Sequence, residues 1–273
     1  MKRLPKYLLM LALLASCVKE ADWTLDPAPA PVVVVDGIIT DAQGLQSIRL
    51  SYSVNDLNED PAPVSEANVI ISNEDSSWQL TEKPKYSGRY VTTPKFVAIP
   101  GKSYSLLISH NEKIYSAKSG MEAGKLFDPL QYKKNDGDSL YHIDWVASAF
   151  SEDFPAMWEV VLDWSQVPGY TGLDSNQTAA RLLFYTLPTL DVGQIFAPPV
   201  ESIAFPAGTV ITENRYSLTA EHAEFIREML METSWQGGLF SSVPANVTTN
   251  LSAGAAGWFG ACGRTSLSLV ATP

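Results

Sequence analysis

The 273-residue chain carries 30 acidic against 19 basic residues, a formal net charge of −11, and 45% of its residues are hydrophobic. So acidic a surface argues against nucleic-acid binding and against electrostatic adhesion to anionic lipid. The apolar fraction is ample for sizeable cores, and the length is that of about two domains.

The first sixteen residues read as a signal peptide. Met1 to Lys6 is a basic start, and Tyr7 to Ala15 is an apolar run too short to span a bilayer. Small residues then lead into a cysteine, Leu14-Ala15-Ser16-Cys17. This order resembles the bacterial lipobox, which implies cleavage before Cys17 and acylation of that cysteine. Losing Lys2, Arg3 and Lys6 with the leader takes the net charge three units further, to −14. Acylation would also leave Cys262, the second of two cysteines, without an intramolecular partner. An exported fold with no internal disulfide must then rely on burial for its stability.

Residues 17–31 form a tether that is polar and then rich in Pro and Ala, a composition that favours extended, semi-stiff chain. Val18-Lys19-Glu20-Ala21-Asp22 resembles the lysine-plus-acidic export signal of Bacteroidetes surface lipoproteins, with Lys19, Glu20 and Asp22 as its charged positions. From Val32 short β-like runs are separated by turn residues: Val32–Thr40, Ser47–Val54, Ala67–Asn73, Trp78–Thr81, Arg89–Thr93, Tyr104–Ser109 and Lys113–Ala117. Apolar Ile48-Leu50-Tyr52 and Tyr104-Leu106-Ile108 alternate with mostly polar neighbours. The spacing predicts an immunoglobulin- or fibronectin-like β-sandwich over 32–120.

A second β-rich domain is expected over 126–273, with strands at Tyr141–Phe150, Met157–Trp164, Ala180–Leu187 and Thr209–Leu218. One amphipathic helix, about 219–233, follows. Ser217 or Thr219 is placed to cap it, Glu221 complements its positive end, and Phe225, Ile226, Met229 and Leu230 make its apolar stripe. A stretch rich in Gly, Ala, Ser and Asn runs from Pro244 to Gly263 before a last strand at Thr265–Val270. The fold class is therefore mainly β.

No pattern of catalytic residues emerges. The three histidines are scattered, and His222, beside Glu221 and Glu224, reads as part of a solvated helix face. Cys262 has no positive charge near it until Arg264 and reads as a packed thiol rather than a nucleophile. There is no Gly-x-Ser-x-Gly elbow and no phosphate-binding Gly loop. Two acidic loops, Asn55–Asp60 and Asn135–Ser139, offer oxygen ligands, and Asp136 and Asp138 are the calcium candidates. Neither loop has the EF-hand spacing, so solvated turns are expected instead. No cofactor is implied. Of the seven tryptophans, Trp78, Trp145, Trp158 and Trp164 lie in strand patterns and read as core. Trp235 and Trp258-Phe259 border the Gly-rich segment and are the candidates for a ligand or partner surface.

Several segments together resemble a family of uncharacterised Bacteroidetes lipoproteins, a domain of unknown function often encoded beside TonB-dependent outer-membrane receptors. The matching stretches are the lipobox at Cys17, Val32–Asp41, Pro63–Val69, Gly88-Arg89-Tyr90, Pro100–Tyr104, Leu239–Val247 and Gly254–Phe259. The resemblance implies an outer-membrane, surface-facing protein held by its lipid. A non-catalytic binding or accessory role in TonB-dependent nutrient uptake follows as the expectation, with the receptor as partner and a glycan or peptide as ligand. The alternatives are a surface hydrolase of glycan or peptide and a structural or adhesion lipoprotein.

Overall fold

The computed structural model describes residues 30–56, 58–189, 203–233 and 247–273. In chain order the first half supplies β1 (Val33–Thr40), β2 (Ser47–Tyr52), β3 (Asn68–Ser72), β4 (Ser77–Gln79), β5 (Thr81–Glu82), β6 (Arg89–Val91), β7 (Ser103–His110) and β8 (Lys113–Glu122). Then come β9 (Gln131–Lys134), β10 (Leu140–Trp145), β11 (Ala156–Asp163), a single helical turn α1 (Ser175–Thr178) and β12 (Ala179–Thr186). The chain closes with β13 (Phe205–Pro206), β14 (Val210–Ser217), the helix α2 (Ala220–Thr233), β15 (Ala255–Cys262) and β16 (Arg264–Val270). The protein is mainly β, and α2 falls where the capping residue and apolar stripe place it.

Nine strands form one sheet in the order β4-β3-β7-β8-β15-β1-β2-β6-β5. Its two outermost strands, β4 and β5, are consecutive in the chain with Leu80 alone between them. The sheet therefore curls until its edges nearly meet, a barrel-like wall around one core. Strict alternation drives this closure. Tyr104, Leu106 and Ile108 on β7 face inward with no exposure, beside Ile48 and Leu50 of β2 and Val69 and Ile71 of β3. Each such side chain contributes about 1.5–3 kcal/mol by leaving water.

The Gly-rich C-terminal stretch, expected as an irregular segment within the second β-rich region, contains strand β15. It lies in the middle of the first sheet, parallel to β1 over its whole length, from Val33 opposite Ala255 to Thr40 opposite Cys262. On its other side it pairs parallel with β8, Ala261 opposite Met121. Small residues allow the fit: a Cβ at Gly257, whose φ is +91°, would lie 2.1 Å from the Val35 carbonyl oxygen. Asn250 reinforces this join. Its amide donates to the carbonyls of Phe259 (2.7 Å) and Lys118 (3.1 Å), and its oxygen accepts the Phe259 N–H at 3.1 Å.

A second sheet, β12-β11-β14-β16, is antiparallel throughout. Ala156, Trp158, Val160 and Leu162 of β11 point into a core closed by the small sheet β13-β10-β9, with Phe127 edge-on to Trp158 at 4.9 Å. The opposite face of this sheet is polar and bears Glu159, Asn214 and Tyr216.

Helix α2 is capped by Thr219, whose hydroxyl accepts the His222 N–H at 3.2 Å. It packs through Ala223 and Ile226 on a small cluster with Leu187, Leu218 and Cys262, beside Ile38, Met157 and Tyr216. His222 departs from the solvated face expected of it: it is 4% exposed. Gly260 leaves room for it, since a Cβ there would come within 2.6 Å of the imidazole, and Trp258 stacks on the ring at 5.4 Å. Trp78, Trp158 and Trp164 pack as expected, whereas Trp145 is 41% exposed because it ends β10 at a register shift. Among the described residues, no helix is long and apolar enough to cross a membrane.

Candidate functional site

On β1 the side chains of Val33, Val35 and Ile39 enter the first core, so Asp36 between them points outward. Antiparallel register places Arg49 of β2 opposite Asp36, and Arg89 of β6 opposite Arg49. Asp36, Arg49 and Arg89 thus form one row on the outer face of the first sheet. Neither guanidinium makes an ion pair or hydrogen bond with any described residue.

The polar face of the second sheet supplies the other wall. Arg181 of β12 donates through Nε to Glu159, and the second Glu159 oxygen accepts from the Asn214 amide and the Tyr216 hydroxyl, each at 3.0 Å. Asn214 in turn accepts from Arg264, through Nε at 3.2 Å and Nη2 at 2.7 Å, and from the Ser266 hydroxyl at 2.8 Å. The Arg264 backbone N–H donates to Asp41 at 2.7 Å. This network fixes Arg181 and Arg264 while leaving part of each five-donor guanidinium unused.

Between the walls lies a cleft of about 410 Å³, lined by Asp36, Arg49, Arg89, Arg181, Tyr216 and Arg264 among others. Four of the chain's seven arginines meet here. Burial pushes Glu159 up, but its bonds from Arg181, Tyr216 and Asn214 prevail and hold it below the usual carboxylate range. Burial and the neighbouring Glu159 carboxylate push the Tyr216 phenol up to about 12. At neutral pH the platform therefore keeps an anionic Glu159 and a protonated Tyr216. Guanidinium forks of this kind bind oxyanions in two-point fashion; they do not break bonds by themselves.

Phe259 is fully buried in the first core, and Trp258 is 8% exposed, stacked against both His222 and Phe225 of α2. The pair expected as a contact surface is therefore packing, because β15 is an interior strand covered by core on one face and by the helix on the other. Trp235, Cys17, Lys19, Glu20 and Asp22 lie outside the described residues. Asp138 is spent on its own hairpin, accepting the Leu140 N–H at 2.7 Å and the Asn135 amide at 3.3 Å, with Asp136 at the tip of the same turn. Among the described residues, no three His, Cys, Asp or Glu side chains gather to hold a metal.

The fold does bring His222 to Cys262, with Nδ1 3.8 Å from the sulfur. Both are buried, and burial acts oppositely on the two, pushing the imidazole down to about 4 and the thiol up to about 12. Both are neutral at pH 7, the wrong state for a thiolate nucleophile.

Sequence reasoning passed over the arginine set because its members stand alone at 49, 89, 181 and 264. The available signal was weak: Ile48-Arg49-Leu50 and Arg181-Leu182 place cations at outward strand positions in an otherwise acidic chain. Comparison with curated proteins finds no match. A family model described as Domain of unknown function (DUF4249) matches residues 18–268, nearly the whole chain, and the protein therefore belongs to that family.

Proposed function

We propose that this chain is a lipid-anchored protein of the bacterial outer membrane, facing outward, that serves as a non-catalytic binding or accessory subunit of a TonB-dependent nutrient-uptake system. The anchoring part rests on the N-terminal order of basic start, short apolar run, small residues and Cys17, followed by Lys19, Glu20 and Asp22. The observation that carries the binding part is the cleft. Its described lining gathers four arginines with one carboxylate and holds no histidine or cysteine, a composition suited to recognition rather than turnover. The ligand-facing cleft would sit on a rigid pair of sheets, where positioned side chains need little reordering to bind. A glycan or peptide bearing acidic groups fits this lining.

The test is affinity purification of tagged protein from native outer membranes after mild cross-linking. Recovery of a TonB-dependent receptor in stoichiometric amount is the expected result. Its absence at every stoichiometry would remove the accessory role.

A further inference from the structure

The row Asp36–Arg49–Arg89 sets two cations directly opposite each other across β2 and β6, with a single carboxylate for both. Like charges in directly opposed strand positions destabilise a sheet. Here the repulsion is not relieved within the described protein, since neither guanidinium has an ion-pair partner. Across the cleft, Arg181 and Arg264 are already anchored by Glu159 and Asn214, so their remaining donors are held in place before any ligand arrives. We infer that the cleft binds a compact oxyanion, a small molecule presenting carboxylate or phosphate groups, with Arg49 and Arg89 as its primary holders and Arg181 and Arg264 as the second pole.

Three further observations narrow the ligand. The acidic groups that face or back the cleft are Asp36, Glu159 and Asp41, and they stand against four arginines, so the surplus is positive. Beyond the cleft the balance reverses, because the other fifteen basic residues of the chain face twenty-seven acidic ones. That surrounding field repels extended polyanions while the local one attracts a small anion. The volume of about 410 Å³ suits a ligand of one or two sugar rings in size and not a folded partner.

This inference rests on the binding reading above and deepens it. Recovery of a receptor without anion binding would overturn the ligand class alone, and anion binding without a receptor would overturn the accessory role alone. The test is isothermal titration of the full chain in neutral detergent, at low ionic strength, with citrate, inorganic phosphate, glucuronate, neutral glucose and heparin. At least one small anion is expected to bind with a Kd below about 1 mM, glucose is expected not to bind, and 0.5 M NaCl is expected to weaken the complex. The double variant Arg49→Gln/Arg89→Gln should lose about tenfold or more in affinity, in line with the loss of charge-assisted hydrogen bonds. Arg89→Gln alone should leave the ligand-free melting temperature at or above that of the parent, which separates lost recognition from lost folding. Failure of all three anions to bind, equal binding by the double variant, or tighter binding of heparin than of any small anion would overturn the proposal.

Discussion

Glu213 is 2% exposed on the inward face of β14; one carboxyl oxygen accepts the Leu130 N–H at 3.0 Å and the other has no partner among the described residues. Arg215, next on the same face, turns instead to Ser217 and the Phe154 carbonyl and stacks on Trp158. Burial pushes Glu213 up to about 7 from its usual 4.5. The folded state therefore holds a proton that the unfolded chain releases, and stability from this group is complete below about pH 4.5 and is lost as pH rises through about 7. Urea titrations at pH 5 and pH 8 should show a smaller loss of midpoint in Glu213→Gln than in the parent, and an identical loss would refute the assignment. Cys262, fully buried with its thiol pushed up to about 12, should not react with a disulfide reagent in the native Cys17→Ala protein and should react at once in denaturant. At this scale the sequence was readable for Cys262 as a thiol without an activating charge beside it, while its full burial came from the fold. It was not readable for His222, whose burial depends on the absence of a side chain at Gly260, 38 positions away.

At the scale of elements, legibility tracks the range of the interactions. Helix α2 was evident because its cap and stripe lie within fifteen residues, and β7 was evident because alternation is local. Strand β15 was not. Ala255-Ala256-Gly257 and Gly260-Ala261 carry little β propensity, and their partners on β1 lie more than two hundred residues earlier in the chain. The strand is specified by close backbone approach and by Asn250, not by its own side chains, with Phe259 as the exception. Because Phe259 is fully buried in the first core, Phe259→Ala should cost about 3–5 kcal/mol of stability, read from chemical denaturation. A cost below about 1 kcal/mol would mean that β15 is peripheral to the first sheet. The arginine row follows the same logic, since it exists only once β1, β2 and β6 are in register.

At the scale of the whole molecule, an acidic protein that would reach −14 after leader removal has no electrostatic reason to adhere to an anionic membrane, so the proposed lipid on Cys17 must supply attachment. Cys17→Ala should abolish palmitate labelling and move the protein out of the outer-membrane fraction. Retention there would contradict the anchor. The same global charge sharpens the central claim, which is that positive charge outweighs negative in one cleft built by two sheets. Arginine side-chain NMR on protein labelled at its guanidinium nitrogens tests that claim most directly, because each arginine reports separately. On titration with citrate, phosphate or glucuronate the account predicts shifts at Arg49 and Arg89 first and at Arg181 and Arg264 next, with buried Arg215 unmoved. Shifts spread evenly over all the arginines, or centred on Arg215, would contradict it.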